Sequence, residues 1–319
     1  MFELRTVGLR QLQQERLRTA QRLQRLESQL DEVAIGHDTL KQSLLQLQHG
    51  EIGSNESPAT DSVFDPEPEL PAVLKNLVET PVALDVGANR GAFSHAALAS
   101  GFRVIAFEPH PAVTATLTER FRADPAFELH ACALSDVEGE ADLHVARNTA
   151  SLTDDSLFSA LQPHPAYKGF RFHSTIKVAL RTLDRLIAED RVPVDVGVLK
   201  IDTEGHDPAV LRGASNLRPE VAIVEFWNKE FPFNNGMTSN DLPDYLPLLP
   251  RHELNASVVF WRGPAKGAYG VLVDASETPR GSWGNAVFFR DRSIADRVVE
   301  WARQTYGTDC VSVGNLCPA

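Results

Sequence analysis

The chain has 319 residues, 43% hydrophobic and 23% charged, with a net charge of -12 from 31 basic and 43 acidic side chains. These are the proportions of an ordinary soluble globular protein, with enough chain for a full core beside an appendage. The acidic excess argues against a nucleic-acid binder, which needs a basic face to displace counterions from phosphates. The first residues, MFELRTVGLRQLQQ, lack the apolar core of a signal peptide, and no run approaches a membrane-spanning length. Three cysteines, Cys132, Cys310 and Cys317, do not make a disulfide framework, so a reducing, cytoplasmic setting is expected.

Residues 1–49 carry a heptad pattern. Leu9, Arg16, Leu23, Leu30, His37 and Leu44 fall at position a, and Leu12, Thr19, Leu26, Val33, Leu40 and Leu47 at position d. Nine of these twelve are apolar, and the register runs without a break or a proline. A narrow seam of period 3.5 predicts an α-helical coiled coil that joins protomers into a homo-oligomer through residues 9–47. Residues 50–70, GEIGSNESPATDSVFDPEPEL, hold six acidic and no basic residues, which predicts an extended, self-repelling linker.

Residues 71–319 alternate short apolar runs with helical stretches. Strands are expected at 82–86, 103–107, 127–131, 196–201, 221–226, 257–261 and 286–289, with helices over 92–99, 112–121 and 207–213. Such alternation predicts an α/β domain built on a parallel, doubly wound sheet. The last two strands follow closely and are expected to form a hairpin at the sheet edge.

Four clusters carry the chemistry. In VALDVGANRG a strand ends at Asp85 and a loop holds Gly87, Asn89 and Gly91 before a helix. Glycines there let a ligand approach the helix start. A dinucleotide loop would space its glycines differently, and a pyrophosphate would be repelled by Asp85, whereas a positively charged sulfonium ligand would not. Glu108, 21 residues after Gly87, ends the next strand, where an acidic side chain accepts both hydroxyls of an adenosyl ribose. In VGVLKIDTEGHD a buried strand runs into Lys200, Asp202, Glu204, His206 and Asp207. Ionisable groups packed at the carboxyl end of an α/β strand suit acid–base work, although Lys200 and Asp202 neutralising one another and His206 capping the next helix is the plainer alternative. The fourth cluster, IVEFWN, places Glu225 and Asn228 at the end of the neighbouring strand.

Taken in order, LDVGANRG, FEP, ALSDVEGE, TLDRL, KIDTEGHDPAVLRGA and VEF resemble the FkbM family of S-adenosylmethionine-dependent methyltransferases over about residues 80–230, with NAVFFR a weaker continuation. The resemblance implies a Rossmann-like class I methyltransferase sheet of seven strands with the last antiparallel. It implies S-adenosyl-L-methionine as cofactor and O-methylation of a hydroxyl on a sugar of a glycan, a glycolipid or a glycosylated metabolite. By position, Asp85, Gly87, Asn89 and Gly91 would hold the methionine end of the cofactor, Glu108 the ribose, and Ser135 and Asp136 would lie near the adenine. Asp202, Glu204 and His206 would face the methyl group and the acceptor.

A hydroxyl of high pKa needs a base, and His206 fits by its near-neutral titration, with Asp202 or Glu204 as substitutes. A divalent ion is the alternative activator, with Asp202, Glu225 and Asn228 as oxygen ligands. The segment SLFSALQPHPAYKGFRFHST, with His164, Lys168, Arg171 and His173, reads as a lid or acceptor loop or as plain solvated surface. Trp227, Trp261 and Trp283 are candidates to stack on a sugar, though core packing is their commoner use. Two other readings remain: a coiled-coil scaffold with an inactive methyltransferase-like domain, and an NAD-dependent oxidoreductase, which the glycine spacing disfavours.

Overall fold

The computed structural model describes residues 64–148, 154–162, 170–232, 240–265 and 267–313. The heptads over 9–47, the linker to residue 63, His164, Lys168 and Cys317 lie outside the described residues. Phe64–Gly263 and Gly267–Ala319 form one compact unit.

In this unit a short helix α1 (Leu70–Leu74) leads into β1 (Val82–Val86), α2 (Ala92–Ala99), β2 (Arg103–Phe107), α3 (Pro111–Phe121) and β3 (Phe127–His130). The four strands of a separate sheet follow, β4 (Ala133–Leu134), β5 (Gly139–Asn148), β6 (Asp154–Ala160) and β7 (Phe170–Arg181). Next come α4 (Leu183–Ala188), β8 (Asp195–Ile201), α5 (Asp207–Arg212), β9 (Arg218–Trp227) and α6 (Leu242–Tyr245). The chain then adds β10 (Ala256–Arg262), β11 (Tyr269–Val273), β12 (Trp283–Phe289), α7 (Arg292–Tyr306) and β13 (Val311–Val313).

The main sheet has nine strands in the order β13-β11-β10-β12-β9-β8-β1-β2-β3. The run β3-β2-β1-β8-β9 is parallel. β12 lies antiparallel between β9 and β10. This corrects two expectations. There are nine strands where seven were implied, because β11 and β13 extend the edge beyond β10. The strands at 257–261 and 286–289 do pair, but they are not a hairpin at the edge: β11 intervenes in the chain and pairs with the far side of β10.

Both faces of the sheet are covered, so its central strands read as unbroken apolar runs. On one face Leu84, Val86, Leu199, Ile201, Val224 and Phe226 pack with residues of α4, α5 and α6. On the other, Ala83, Val104, Val198 and Ile223 meet α1, α2, α3 and α7. In α7, Ile294, Val298 and Ala302 recur every four residues on the buried side, and Asp291 caps the start by accepting from Ser293 N at 2.7 Å.

The second sheet has the order β4-β7-β5-β6. The sequence offered no strand here and expected a loop. Arg171 and His173 lie on β7, paired with Arg147 and the β-bulge at Val145/Ala146. The alternation is there, with Leu143, Ile176, Val178 and Leu180 on one small apolar face, but charged residues between them mask it.

Residues 64–70, expected to belong to the linker, pack on the domain. Phe64 is buried, stacking on Tyr269 at 4.6 Å and meeting Tyr306 edge-on at 4.5 Å, and Leu70 is fully buried. Aromatic burial at 64 and aliphatic burial at 70 overcome the low mean hydropathy that made the stretch look like a free tether.

Candidate active site

The site lies at the carboxyl ends of β1, β2 and β8, and strand register decides which groups meet. Asp85 on β1 pairs in register with Lys200 on β8, so both side chains leave the sheet on the same face. Asp85 is fully buried. Its Oδ2 accepts from Ser94 Oγ on α2 at 2.6 Å, while Oδ1 accepts no hydrogen bond and faces Lys200 Nζ at 3.4 Å. Lys200 Nζ also donates to the Gly87 carbonyl at 3.2 Å and lies 3.5 Å from Asp202 Oδ2 and 3.9 Å from Glu67 Oε1. Burial opposes its charge, but Asp202, Asp85 and Glu67 together hold the ammonium well above the ordinary lysine range. The alternative of a simple Lys200–Asp202 pair is therefore incomplete: the lysine is shared among three carboxyl groups.

The glycine loop bends tightly over this cluster. Gly87 has φ +76°, and a Cβ there would lie 1.9 Å from the Asp202 carbonyl oxygen, so no side chain fits. Asn89 follows with a left-handed φ of 47°, and Gly91 starts α2. Glu108 is buried at the end of β2, accepting from Asn89 N at 2.9 Å on Oε2 and from His110 N at 2.8 Å on Oε1. Burial raises its pKa to about 7, against those two N–H groups. The two hydrogen bonds fix the carboxyl plane and leave a lone pair on each oxygen for a ligand hydroxyl.

The structure brings Ser135, Asp136 and His206 together. His206 stands at the cap position of α5 but makes no capping bond; its Nε2 lies 3.0 Å from Ser135 Oγ. Ser135 Oγ donates to Asp136 Oδ1 at 3.3 Å, and Arg212 Nε donates to Asp136 Oδ2 at 2.8 Å. Gly213 permits this contact, since a Cβ there would stand 2.0 Å from the Ser135 carbonyl oxygen. Burial lowers the His206 pKa, against the pull of Asp136.

Asp202 and Glu204 sit on the loop between β8 and α5, Glu204 with φ +53°. That loop is fixed by Asp207, which sequence reasoning left without a role. Asp207 is fully buried, and its Oδ1 accepts from Thr203 N at 2.9 Å and from Thr203 Oγ1, while Oδ2 accepts from Glu225 N at 3.3 Å. Burial raises its pKa to about 6.

Asn228 is not free to be a metal ligand. Its Oδ1 accepts from Glu230 N and Gly281 N, both at 3.1 Å, and its Nδ2 donates to Thr278, so the side chain ties two loops together. The Glu225 carbonyl accepts from Tyr245 Oη at 2.6 Å and Asn240 Nδ2 at 3.1 Å. Among the described residues no group of three or more His, Cys, Asp or Glu is arranged to hold a metal ion. Of the tryptophans, Trp227 is buried, while Trp261 and Trp283 are half-buried. Glu67 had no signal beyond a low-complexity acidic run.

Among the described residues no helix is long and apolar enough to cross a membrane. A search of curated proteins found no match. Among solved structures, the chain is similar to an O-methyltransferase from Bacillus cereus in complex with SAH (14% identity, TM-score 0.35, covering 71% of this chain and 83% of that one). It is similar to 1,6-didemethyltoxoflavin-N1-methyltransferase from Burkholderia thailandensis (15%, TM-score 0.37, 73% and 80%). It is also similar to precorrin-6y C5,15-methyltransferase from Geobacter metallireducens GS-15 (11%, TM-score 0.35, 76% and 95%). The identification rests on sequence instead: the profile described as Methyltransferase FkbM domain matches residues 85–254, more than half of the chain. The protein therefore belongs to the FkbM family of methyltransferases, and its methyl donor is S-adenosyl-L-methionine.

Proposed function

We propose that the protein transfers the donor's methyl group to a hydroxyl oxygen, that of a sugar in a glycan, a glycolipid or a glycosylated metabolite. The observation that carries the hydroxyl reading is the Asp136–Ser135–His206 chain. Ser135 has one hydroxyl proton. Given to Asp136, it leaves Oγ to accept from His206 Nε2–H, which puts the imidazole lone pair on Nδ1. An imidazole kept neutral by burial, with its tautomer set from behind, is suited to take the acceptor's proton.

The residues fit the donor. It supplies a methyl group on a positively charged sulfur. Asp85 Oδ1, buried and without a hydrogen bond, suits the positively charged methionine end. The loop at Gly87 approaches too closely for any side chain to intrude, and Glu108 has lone pairs for the ribose. Asn89 and Gly91 complete that loop, while Ser135 and Asp136 border the adenine. Asp202 and Glu204 flank His206 on the acceptor side. Positioning of the hydroxyl supplies much of the remaining barrier reduction. The choice of a sugar rests on family membership, and the joining of protomers by residues 9–47 rests on the heptads.

The test is calorimetric titration with S-adenosylhomocysteine, followed by turnover on hydroxyl acceptors. Wild type should bind, and Glu108→Ala should not. His206→Ala should keep binding and lose about 10²–10⁴-fold in kcat. Binding by His206→Ala with undiminished turnover would remove the base assignment, and methylation confined to nitrogen or carbon acceptors would remove the hydroxyl reading.

A further inference from the structure

Glu67 lies outside the matched region 85–254, yet its side chain stands in the donor site. The segment that carries it is a built strap. Phe64 is held among Tyr269, Tyr306 and Phe260, and Leu70 and Leu74 are fully buried. Between these anchors the Pro66 carbonyl accepts from Glu69 N at 3.1 Å and Leu70 N at 2.9 Å, closing a turn. The strap belongs to the same sheet face as Phe93 and Ala97 of α2, the face onto which Asp85 and Lys200 project. The turn delivers the Glu67 carboxyl to 3.9 Å from Lys200 Nζ. Its side chain keeps 23% of its surface exposed against 5% for Lys200, so a proton can reach solvent from it.

Lys200 is already matched by Asp85 and Asp202, and that trio carries one net negative charge toward a cationic ligand. A third carboxylate is more than the lysine needs. The charged groups facing Glu67 are Lys200 and Asp202 from β8 and its end, Asp85 from β1, and Asp65 from the strap itself. Burial, aided by Asp202, Asp65 and Asp85 and opposed by Lys200, pushes Glu67 up to about 8. Near pH 7 it therefore holds its proton in the free protein, and a positive charge placed beside the cluster favours release.

We propose that Glu67 is a positioning residue of the donor site: acting through Lys200, it releases its proton to solvent as the sulfonium donor binds, and so matches the site's charge to the donor. This rests on the reading that the donor's methionine end lies at Asp85. The strap is then part of the methyltransferase site rather than a tether for the N-terminal segment.

The experiment is calorimetric titration of the full chain with S-adenosylmethionine and with the uncharged-sulfur product S-adenosylhomocysteine, in two buffers of different ionisation enthalpy, between pH 6.5 and 8.5. Wild type should release more protons with the sulfonium ligand than with the thioether. Its preference for the sulfonium should rise roughly tenfold across that range as Glu67 ionises. Glu67→Gln, which keeps the shape and cannot ionise, should show equal proton release for the two ligands and a flat preference. Phe64→Ala, which unhooks the strap, should move in the same direction; thermal unfolding of both variants is the check that they remain folded. Identical proton release and pH profiles in wild type and Glu67→Gln would overturn the proposal. If folded wild type binds neither ligand, the donor-site reading itself fails and the proposal falls with it; if wild type binds both with no difference from Glu67→Gln, only the proposal fails.

Discussion

The carboxyl ends of β1 and β8 and the second sheet (β4–β7) both carry dense charge, and they use it in opposite ways. On the second sheet the pairs are exposed. Lys177 and Asp142 meet at 2.9 Å with 66% and 50% of their side chains in solvent, and Arg181 reaches Glu138 at 2.9 Å and Glu189 at 2.6 Å from the surface. Water and salt screen such pairs, so they decorate a fold that packing already sets. At the strand ends, Asp85 and Lys200 are buried together by strand register, and the lysine charge is matched inside the protein by Asp85 and Asp202. A buried charge must be matched or it is costly, so this cluster constrains every group around it. Charge density in a sequence is thus a poor guide to importance, and burial separates the two regions.

Substitutions should break that contrast in a definite order. Lys200→Met should have the largest effect, since it leaves Asp85 buried beside two further carboxyl groups; a loss of about 3–5 kcal/mol in denaturant unfolding is expected, together with loss of donor affinity in calorimetry. Next comes Gly87→Ala, which needs a left-handed backbone and a methyl group 1.9 Å from the Asp202 carbonyl oxygen. It should cost about 1–3 kcal/mol, read by thermal unfolding, and should weaken donor binding by displacing the loop. Smallest is Lys177→Met, which should shift unfolding by less than about 1 kcal/mol and leave donor affinity unchanged. A Lys177→Met effect as large as that of Lys200→Met would remove the distinction between the regions.

The parts of the fold legible in the sequence were those with a strong local signal. The runs VALDV, RVIAF and VGVLKI are apolar because both sheet faces are covered, and they gave β1, β2 and β8 almost to the residue. β13 escaped notice because it is a three-residue, largely exposed edge strand, whereas β11, YGVLV, is a five-residue apolar run buried between β10 and β13 whose signal was overlooked. The second sheet escaped because its alternation is diluted by surface charge and by a bulge between Val145 and Ala146. At the site, Asp85, Gly87, Glu108 and His206 were marked by spacing within single motifs. Glu67 and Asp207 were not, since their roles depend on contacts across 133 residues in one case and on an unremarkable carboxylate being wholly enclosed in the other.

The sequence by itself determined the alternation of strands and helices, the tight loop after β1, the acidic strand ends and the family, because each is written in contiguous residues obeying a local period or a steric rule. Only the tertiary structure decided that Lys200 is shared by three carboxyl groups, that His206 meets Ser135 and Asp136, and that the segment 64–70 packs on the domain and brings Glu67 beside Lys200. Those outcomes follow from strand register and burial, which bring distant residues side by side and remove the water that would otherwise keep their charges independent.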